Sequence, residues 1–148
     1  MFAVKRRDPL SKAERSQRMA LIHSKDTKPE MTVRKLVHSL GFRYRLHVRD
    51  LPGRPDLVFR SRSKVIFVHG CFWHMHSKCR SRRIPSGNYW PQKLAGNRTR
   101  DQRNRRQLAK AGWKVLVVWE CEMKDRAKLS RRLAAFLDQS QQGYLTEF

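Results

Sequence analysis

The chain has 148 residues, with 34 Lys or Arg against 12 Asp or Glu, so its formal net charge is +22. This length suits one domain with its own core and is too short for two independent domains. No run approaches the roughly 18 apolar residues that a membrane helix needs, and the N-terminal stretch MFAVKRRDPLSKAERS lacks the apolar core of a signal peptide. We therefore expect a single cytoplasmic domain that does not enter a membrane.

The charge of +22 predicts a polyanionic partner, because Lys and Arg side chains that neutralise phosphates release condensed counterions. Nucleic acid is therefore the leading partner class. An anionic membrane surface would also suit the charge, but no segment has the bulky apolar face of a lipid-binding amphipathic helix. Ribosomal proteins and other structural RNA binders are a competing class at this point.

The first two predicted helices both start with the spacing of a capping box, in which a hydroxyl and a carboxylate satisfy free amides of the first turn. Ser11 and Glu14 form the first box, and that helix should run to about residue 24. Thr27 and Glu30 form the second, and its helix should end near Gly41. Four apolar residues mark one face of the second helix: Val33, Leu36, Val37 and Leu40.

Three strands are predicted next. Residues 42–47 alternate apolar and polar side chains, with His47 as the last polar one, as in a half-buried strand, and residues 50–55 are rich in turn formers. Residues 56–60 and 64–69 are β-rich runs around a polar tripeptide, which predicts an antiparallel hairpin. Residues 65–68 are all apolar, as expected of a central strand.

The second half of the chain begins with residues 70–91, a stretch without periodicity that we expect to be a long functional loop. A very basic helix is predicted over 92–111, followed by a buried type of strand over 113–119. A last helix should follow, and four apolar residues mark its inner face: Leu129, Leu133, Phe136 and Leu137. The residues outside 11–139 are expected to be a flexible basic N-terminus (1–10) and a loose tail (140–148). The pattern predicts a small mixed sheet with helices on its faces.

Three cysteines and one histidine form a candidate metal-binding set: Cys71, His76, Cys79 and Cys121. Zn²⁺ in structural sites prefers four S and N ligands in a tetrahedron, and such a site would join the loop to the end of the last strand. Three unrelated buried thiols are the alternative, and His69 or His74 could replace His76 as the nitrogen ligand. A disulfide is disfavoured by the odd number of cysteines in a cytosolic chain.

The predicted hairpin resembles that of PD-(D/E)xK nucleases, in which carboxylates and a lysine gather Mg²⁺ against a phosphate. Asp56 opens the first strand, but Phe67 and His69 stand where that motif has an acid and a lysine. Asp56 after a proline is equally consistent with turn chemistry. His74 adds a candidate base, because neutral imidazole can activate water near neutral pH.

Three long blocks carry a more specific resemblance: LPGRPD at 51–56, VHGCFWH at 68–74 and GWKVLVVWEC at 112–121. The chain resembles the very short patch repair (Vsr) mismatch endonucleases from about Ser11, with RSQRM at 15–19 matching the family's first helix, to about Glu122. The resemblance implies an α/β, restriction-endonuclease-like fold related to PD-(D/E)xK nucleases. In that fold a mixed central sheet is flanked by helices and carries a structural zinc site.

The same resemblance implies an enzyme that nicks DNA beside a T·G mismatch, the lesion left by deamination of 5-methylcytosine, with Mg²⁺ as cofactor. It makes Asp56 the metal-binding carboxylate, with the backbone carbonyl of Val68 as a second magnesium ligand. It makes His74 the candidate general base, with His69 assisting at the phosphate. Asp101 would orient a histidine.

The resemblance also implies that Glu30 holds metal-bound water, although its place in a capping box explains this residue equally well. The predicted zinc ligands fall where the family has them: Cys71, His76, Cys79 and Cys121. Double-stranded DNA with a T·G mismatch is the implied partner, bound by a monomer, and mismatch-repair proteins are candidate further partners. In a bacterium the enzyme would be cytoplasmic and associated with the nucleoid.

Aromatic residues gain a role from the resemblance, since three match family residues that wedge into the base stack beside the mismatch: Phe72, Trp73 and Trp90. Met19 would enter from the other side. Lys93 and Asn97, four residues apart on one helical face, match residues that hydrogen-bond the mispaired bases. Without the resemblance, Phe72 and Trp73 would be expected to fill the core beside the zinc loop.

Departures from the family pattern keep alternatives open. Val68 stands where some family members have Thr, so only its carbonyl can serve. Met75 interrupts what can be an unbroken histidine run in the family, and two residues, 77–78, separate His76 from Cys79 where a single one also occurs. The competing functions are a restriction-type nuclease and a non-catalytic, zinc-stabilised nucleic-acid-binding protein. The preferred flanking sequence and any companion methyltransferase are not determined by the sequence.

Overall fold

The structure is a computed structural model that describes residues 11–14, 26–76, 78–79 and 87–138. Several predictions concern residues outside this set: the flexible N-terminus 1–10, the first helix beyond residue 14 with its Met19, and the tail 140–148. The start of that first helix is described and confirms the predicted capping box. Ser11 N donates to Glu14 Oε2 at 2.7 Å, and Glu14 N donates to Ser11 Oγ at 3.1 Å.

Helix α1 spans Lys28–Ser39 and begins where the second capping signal predicts. The hydroxyl of Thr27 accepts a hydrogen bond from the Glu30 amide at 3.4 Å. Its predicted inner face is confirmed, since Val33 and Val37 are fully buried. The helix ends two residues before Gly41, whose φ of +91° suits a residue without a Cβ.

Four strands form one mixed sheet in the order β1-β2-β3-β4. Their bounds are Arg45–Leu46 (β1), Leu57–Phe59 (β2), Lys64–His69 (β3) and Lys114–Trp119 (β4). Strand β2 pairs antiparallel with β1 on one side and with β3 on the other, whereas β3 and β4 pair parallel. The predicted hairpin is therefore confirmed, and β3 is central and almost wholly buried, as expected.

Two strand predictions need correction. The half-buried strand predicted over 42–47 is reduced to Arg45–Leu46, both exposed, while Phe42 and Tyr44 pack on the core before the ladder begins. The ladder stops at His47, whose φ of +48° is incompatible with an extended chain. Strand β4 was expected to be buried, but it lies at the edge of the described sheet, and Val118 is its one buried residue.

The helices α2 (Tyr89–Lys110) and α3 (Arg126–Asp138) complete the fold. Helix α2 begins three residues earlier than predicted, so Trp90 and Pro91 lie in its first turn and not in the loop. Proline is tolerated there because the first amides of a helix have no partner within it. No helix among the described residues is long and apolar enough to cross a membrane.

Two core clusters lie on opposite faces of the sheet, because alternate residues of β2 and β3 point to opposite sides. One cluster joins the sheet to α1 and α3: Val33, Val37, Leu57, Phe59, Ile66, Val118, Leu129, Leu133 and Leu137. The other joins it to α2: Val58, Val65, Phe67 and Leu108. This arrangement confirms the predicted inner face of α3, with Phe136 packed against the first cluster.

Candidate functional site

A cleft of about 470 Å³ opens where β2 starts and β3 ends. The residues that line it include the following: His47, Arg54, Asp56, Val68, His69, His74 and Asp101. Antiparallel pairing brings the start of β2 next to the end of β3, so the hairpin itself places Asp56 beside Val68. The cleft thus unites residues that the sequence separates by up to 54 positions, since it contains both His47 and Asp101.

Asp56 is fixed by its backbone and by one hydrogen bond. It follows the buried Pro55, and its Oδ2 accepts the Val68 amide at 2.7 Å. Burial outweighs the opposing effect of the Val68 amide and, with a smaller contribution from Glu30, raises the pKa of the Asp56 carboxyl to about 7. Asp56 lines the cleft, and its Oδ1 has no hydrogen-bond partner among the described residues, so this oxygen is available to a ligand. A cation in the cleft would offset the cost of its charge.

Two histidines share the cleft with Asp56. The rings of His69 and His74 stack with centroids 3.8 Å apart and planes within 6°. His74 Nδ1 lies 2.5 Å from Asp101 Oδ2, so that carboxylate orients the ring and leaves the other ring nitrogen, Nε2, for chemistry. Burial, with a smaller contribution from His74, lowers the pKa of His69 to about 3, so His69 is neutral near pH 7.

The four residues predicted to bind zinc come together as one cluster, with ligand atoms all within 4.8 Å of one another: Cys71, His76, Cys79 and Cys121. His76 Nδ1 lies 3.3 Å from the Cys79 sulfur and 3.5 Å from the Cys121 sulfur. A tetrahedral zinc site with bonds of about 2.0 to 2.3 Å places such N and S atoms about 3.5 Å apart. The donor set and its spacing therefore fit a zinc ion.

The thiols of this cluster are crowded and free of disulfides. Burial raises the pKa of Cys121 to about 12, and neighbouring thiols add to the effect; burial likewise raises the pKa of Cys71. A bound cation would reverse these shifts, because metal-ligating cysteines are thiolates.

Met75 separates the two histidine sites. Its φ of +52° is unusual for a residue with a Cβ. The turn at this point lets His74 reach Asp101 while His76 reaches the cysteines. Trp119 lies between the sites, stacked on His76 at 4.1 Å and edge-on to His69 at 5.4 Å. The metal-binding cluster and the histidine pair are thus parts of one packed unit.

Phe72, Trp73 and Trp90 form an aromatic cluster beside the cleft, with ring centroids 5.2 to 5.6 Å apart. All three are half-buried, and they pack on one another and not into either core cluster. The interpretation of Phe72 and Trp73 as core residues is therefore not supported. A half-exposed aromatic surface next to a basic helix is suited to stacking against bases.

Lys93 and Asn97 lie on one face of α2 and line a groove with Trp73. Asn97 Nδ2 donates to the Trp73 carbonyl at 3.0 Å, and its Oδ1 accepts from Arg100 Nη2 at 2.5 Å. The groove also includes Asn104. The Asn104 side chain packs on the backbone of Gly53, and a Cβ atom added at Gly53 would come within 2.9 Å of Asn104 Nδ2. The glycine of the LPGRPD block thus allows that loop to approach α2.

Comparisons with known proteins decide the family. The family model described as DNA mismatch endonuclease Vsr matches residues 7–80. The chain is 51% identical over 135 residues to the type II nicking enzyme V.XorIIP of Xanthomonas oryzae pv. oryzae, covering 90% of this chain and 98% of that protein. The chain belongs to the Vsr family of DNA mismatch endonucleases.

Other Vsr relatives agree. The chain is 45% identical to the type II nicking enzyme V.NmeAIP of Neisseria meningitidis, covering 85% of this chain and 91% of that protein. It is 40% identical to the DNA mismatch endonuclease Vsr of Escherichia coli, covering 83% and 80%. The protein is therefore a DNA endonuclease, a hydrolase that acts on phosphodiester bonds, and the non-catalytic alternative is set aside.

The fold is also that of a nuclease. The catalytic domain of the homing endonuclease I-Bth0305I superposes with a TM-score of 0.53 over 75% of this chain and 94% of that domain, at 20% identity. This similarity confirms the predicted α/β fold class, in which helices flank a mixed central sheet.

Glu30, a predicted site residue of this Vsr protein, pairs with His47, which the sequence did not indicate as a site residue. Glu30 is buried, and its Oε1 accepts Arg34 at 2.6 Å and lies 2.9 Å from His47 Nε2. Its Oε2 accepts the Asp26 amide at 2.8 Å, one residue before the amide that a capping box would use. His47, predicted only as a polar residue of the alternating strand, borders the cleft. Its separation of 17 residues from Glu30 left no periodic signal in the sequence.

Proposed function

We propose that this enzyme nicks one DNA strand beside a T·G mismatch by Mg²⁺-dependent hydrolysis. The observation that carries the proposal is the cleft, in which Asp56 and the His74–Asp101 pair share one lining next to the aromatic cluster. The family name supports the mismatch, and the relatives named as type II nicking enzymes support a single-strand cut.

The chemical roles follow from positions in the cleft. Asp56, with the Val68 carbonyl, would hold Mg²⁺, which when bound neutralises charge on the scissile phosphate and lowers the pKa of water. His74 Nε2 accepts the proton of the attacking water, and Asp101 keeps the ring in the required tautomer. His69, neutral and stacked on His74, assists at the phosphate.

Glu30 is proposed to contact metal-bound water. For this role one of its oxygens has to exchange a present partner, Arg34, His47 or the Asp26 amide, for that water. Zinc is proposed at the cluster of Cys71, His76, Cys79 and Cys121, where it would hold the loop that carries His74 and Trp73.

Mismatch preference is proposed to arise from the cost of opening the base stack. Inserting apolar side chains between base steps costs a few kcal/mol of unstacking, and a mispaired step lowers that cost. Phe72, Trp73 and Trp90 supply the wedge, Met19 enters from the other side, and Lys93 and Asn97 lie against the mispaired bases. The general charge of +22 binds backbone phosphates without selecting the lesion.

Cleavage of matched duplexes tests the proposal. Duplexes of one sequence carrying T·G or C·G at the central pair are incubated with the enzyme, with Mg²⁺ added or withheld. We expect nicking of the T·G duplex alone, and only with Mg²⁺. Equal cutting of both duplexes, or double-strand breaks in the C·G duplex, would establish the restriction-type alternative. Since one nick needs one active site, the active species should be a monomer.

Replacing Trp73 with Ala should lower the preference for T·G over C·G duplexes by about tenfold, because base–aromatic stacking contributes about 1–3 kcal/mol. Binding to C·G duplex should change far less, since phosphate contacts remain. Dissociation constants for both duplexes give the ratio. Trp113→Ala, outside the cleft, is the aromatic control. An equal loss on both duplexes would count against a wedge.

A further inference from the structure

Asn97 connects two side chains that would meet DNA together. Its Nδ2 donates to the carbonyl of Trp73, and its Oδ1 accepts from Arg100. An amide side chain has two donor hydrogens and two acceptor lone pairs, so one of each stays available after these bonds. Asn97 can therefore contact a base and still hold Arg100 at a fixed place beside the wedge.

Arg100 is the exposed end of this connection. Its guanidinium borders the groove that also contains Trp73, Lys93 and Asn97, and it gives one hydrogen of Nη2 to Asn97. No other described residue accepts a hydrogen bond from the Arg100 guanidinium. Arginine keeps its charge under all conditions and presents a planar fork, the geometry that matches the O6 and N7 acceptors of guanine.

Helical spacing places Arg100 on the face proposed to meet the bases. Residues 93, 97, 100 and 104 follow each other at intervals of four, three and four, so they form one stripe along α2. Arg106 lies on the opposite side of the helix by the same count and is exposed. The two arginines therefore differ in orientation while sharing charge, helix and exposure.

We propose that Arg100 is a further specificity-determining residue, which reads the major-groove edge of a guanine in the pair next to the Trp73 wedge. Asn97 is its positioning residue, because it links the guanidinium to the backbone of the wedge. This inference rests on the proposed function for the place of the wedge. It adds a base contact that gives the enzyme a preference for the sequence flanking the mismatch.

Single-atom changes in the DNA test the contact. In T·G duplexes, each guanine near the mismatch is replaced in turn by 7-deazaguanine, which lacks the N7 acceptor, and dissociation constants are measured without divalent ions. The wild-type protein should bind about tenfold more weakly at one position, since a bidentate arginine–guanine pair contributes that order of discrimination. Arg100→Ala should lose a similar factor on unmodified DNA and nothing further on the modified duplex.

Two variants separate base reading from general attraction. Arg106→Ala should weaken binding to modified and unmodified DNA by the same factor, because a charge on the opposite side of the helix contributes only general electrostatic attraction. Arg100→Lys should fail to restore the preference for guanine, because an ammonium group lacks the fork. If the loss of affinity caused by Arg100→Ala adds to the loss caused by 7-deazaguanine at every position, the two do not share a contact and the proposal is overturned. Full restoration of the guanine preference by Arg100→Lys would also overturn it.

The positioning role of Asn97 is tested by the size of the 7-deazaguanine effect, which a general loss of structure would not change selectively. Asn97→Asp keeps the acceptor for Arg100 but cannot donate to the Trp73 carbonyl, so it should weaken the effect of 7-deazaguanine, as Asn97→Ala should. Asn97→Gln keeps both the donor and the acceptor and should retain more of the effect than either. The same scan on C·G duplexes distinguishes this inference from the proposed function. If T·G preference is not found but one guanine still responds through Arg100, only the mismatch assignment fails. If no guanine responds on either duplex, the Arg100 assignment fails.

Discussion

Replacing Asp56 with Asn should lower kcat for nicking by on the order of 10³-fold or more, with little change in DNA affinity. A metal ion at the reacting phosphate contributes several kcal/mol, and each 1.36 kcal/mol corresponds to about a factor of ten in rate. Asn has nearly the same shape and can still accept the Val68 amide that Asp56 Oδ2 accepts at 2.7 Å. The fold and the DNA-binding surface should therefore survive while the carboxylate is lost.

The same substitution should leave the metal-free protein at least as stable as wild type at pH 8. Burial raises the pKa of Asp56 from 3.8 to about 7, so the folded state favours the protonated carboxyl. Its contribution to stability is present below the unfolded pKa and is lost as the pH rises toward 7. A neutral Asn avoids that loss. Thermal unfolding without Mg²⁺ at pH 5 and pH 8 measures the difference.

Asp50→Asn is the matched control, because Asp50 is an exposed aspartate in the same loop region, paired with Arg60 at 3.0 and 3.1 Å. Surface ion pairs contribute little, so this variant should nick like wild type. Unchanged nicking by Asp56→Asn would refute the assignment of the carboxylate. Loss of both binding and folding would contradict the argument that Asn preserves the local hydrogen bond.

Local patterns in the sequence were enough to predict the elements whose burial has a simple period. Helix α1, with its hydroxyl cap at Thr27, and the hairpin of β2 and β3 are confirmed. The metal-binding cluster was also predictable in part, because Cys71, His76 and Cys79 are close in sequence. These features depend on contacts between near neighbours in the chain.

What the sequence could not predict depends on tertiary position. WKVLVVW at 113–119 looks like a buried strand, yet β4 lies at the edge of the described sheet because strand order is not encoded locally. The pairing of His47 with Glu30 and the bond from Asn97 to the Trp73 carbonyl join distant segments. The ladder of β1 ends at His47 through a backbone conformation that no propensity indicates.

Loss of one ligand of the cysteine–histidine cluster should affect both stability and catalysis. For Cys121→Ser we expect less than one zinc per chain and a Tm lower by on the order of 10 °C, because a structural zinc site contributes folding free energy directly. The two measurements are metal analysis of the purified protein and thermal unfolding. Lys124→Ser is the control, since Lys124 is exposed in the same short helix, Glu120–Lys124.

Nicking should fall with metal content, although Cys121 is not among the residues that line the cleft. The cluster joins the loop at Cys71 to the end of β4, and His74 lies between Cys71 and His76 on that loop. Trp119 stacks on His76 and touches His69, so displacement of the loop would disturb the stacked histidine pair.

The roles of the two metals can be distinguished by removing metal with a chelator and then adding zinc and Mg²⁺ one after the other. Zinc alone should recover the Tm but not nicking, and Mg²⁺ added afterwards should recover nicking, because the thiol-rich cluster suits zinc and the carboxylate of Asp56 suits magnesium. Recovery of both properties by Mg²⁺ alone would show that the cluster needs no metal. Recovery of nicking by zinc alone would place the catalytic metal among the cysteines and not at Asp56.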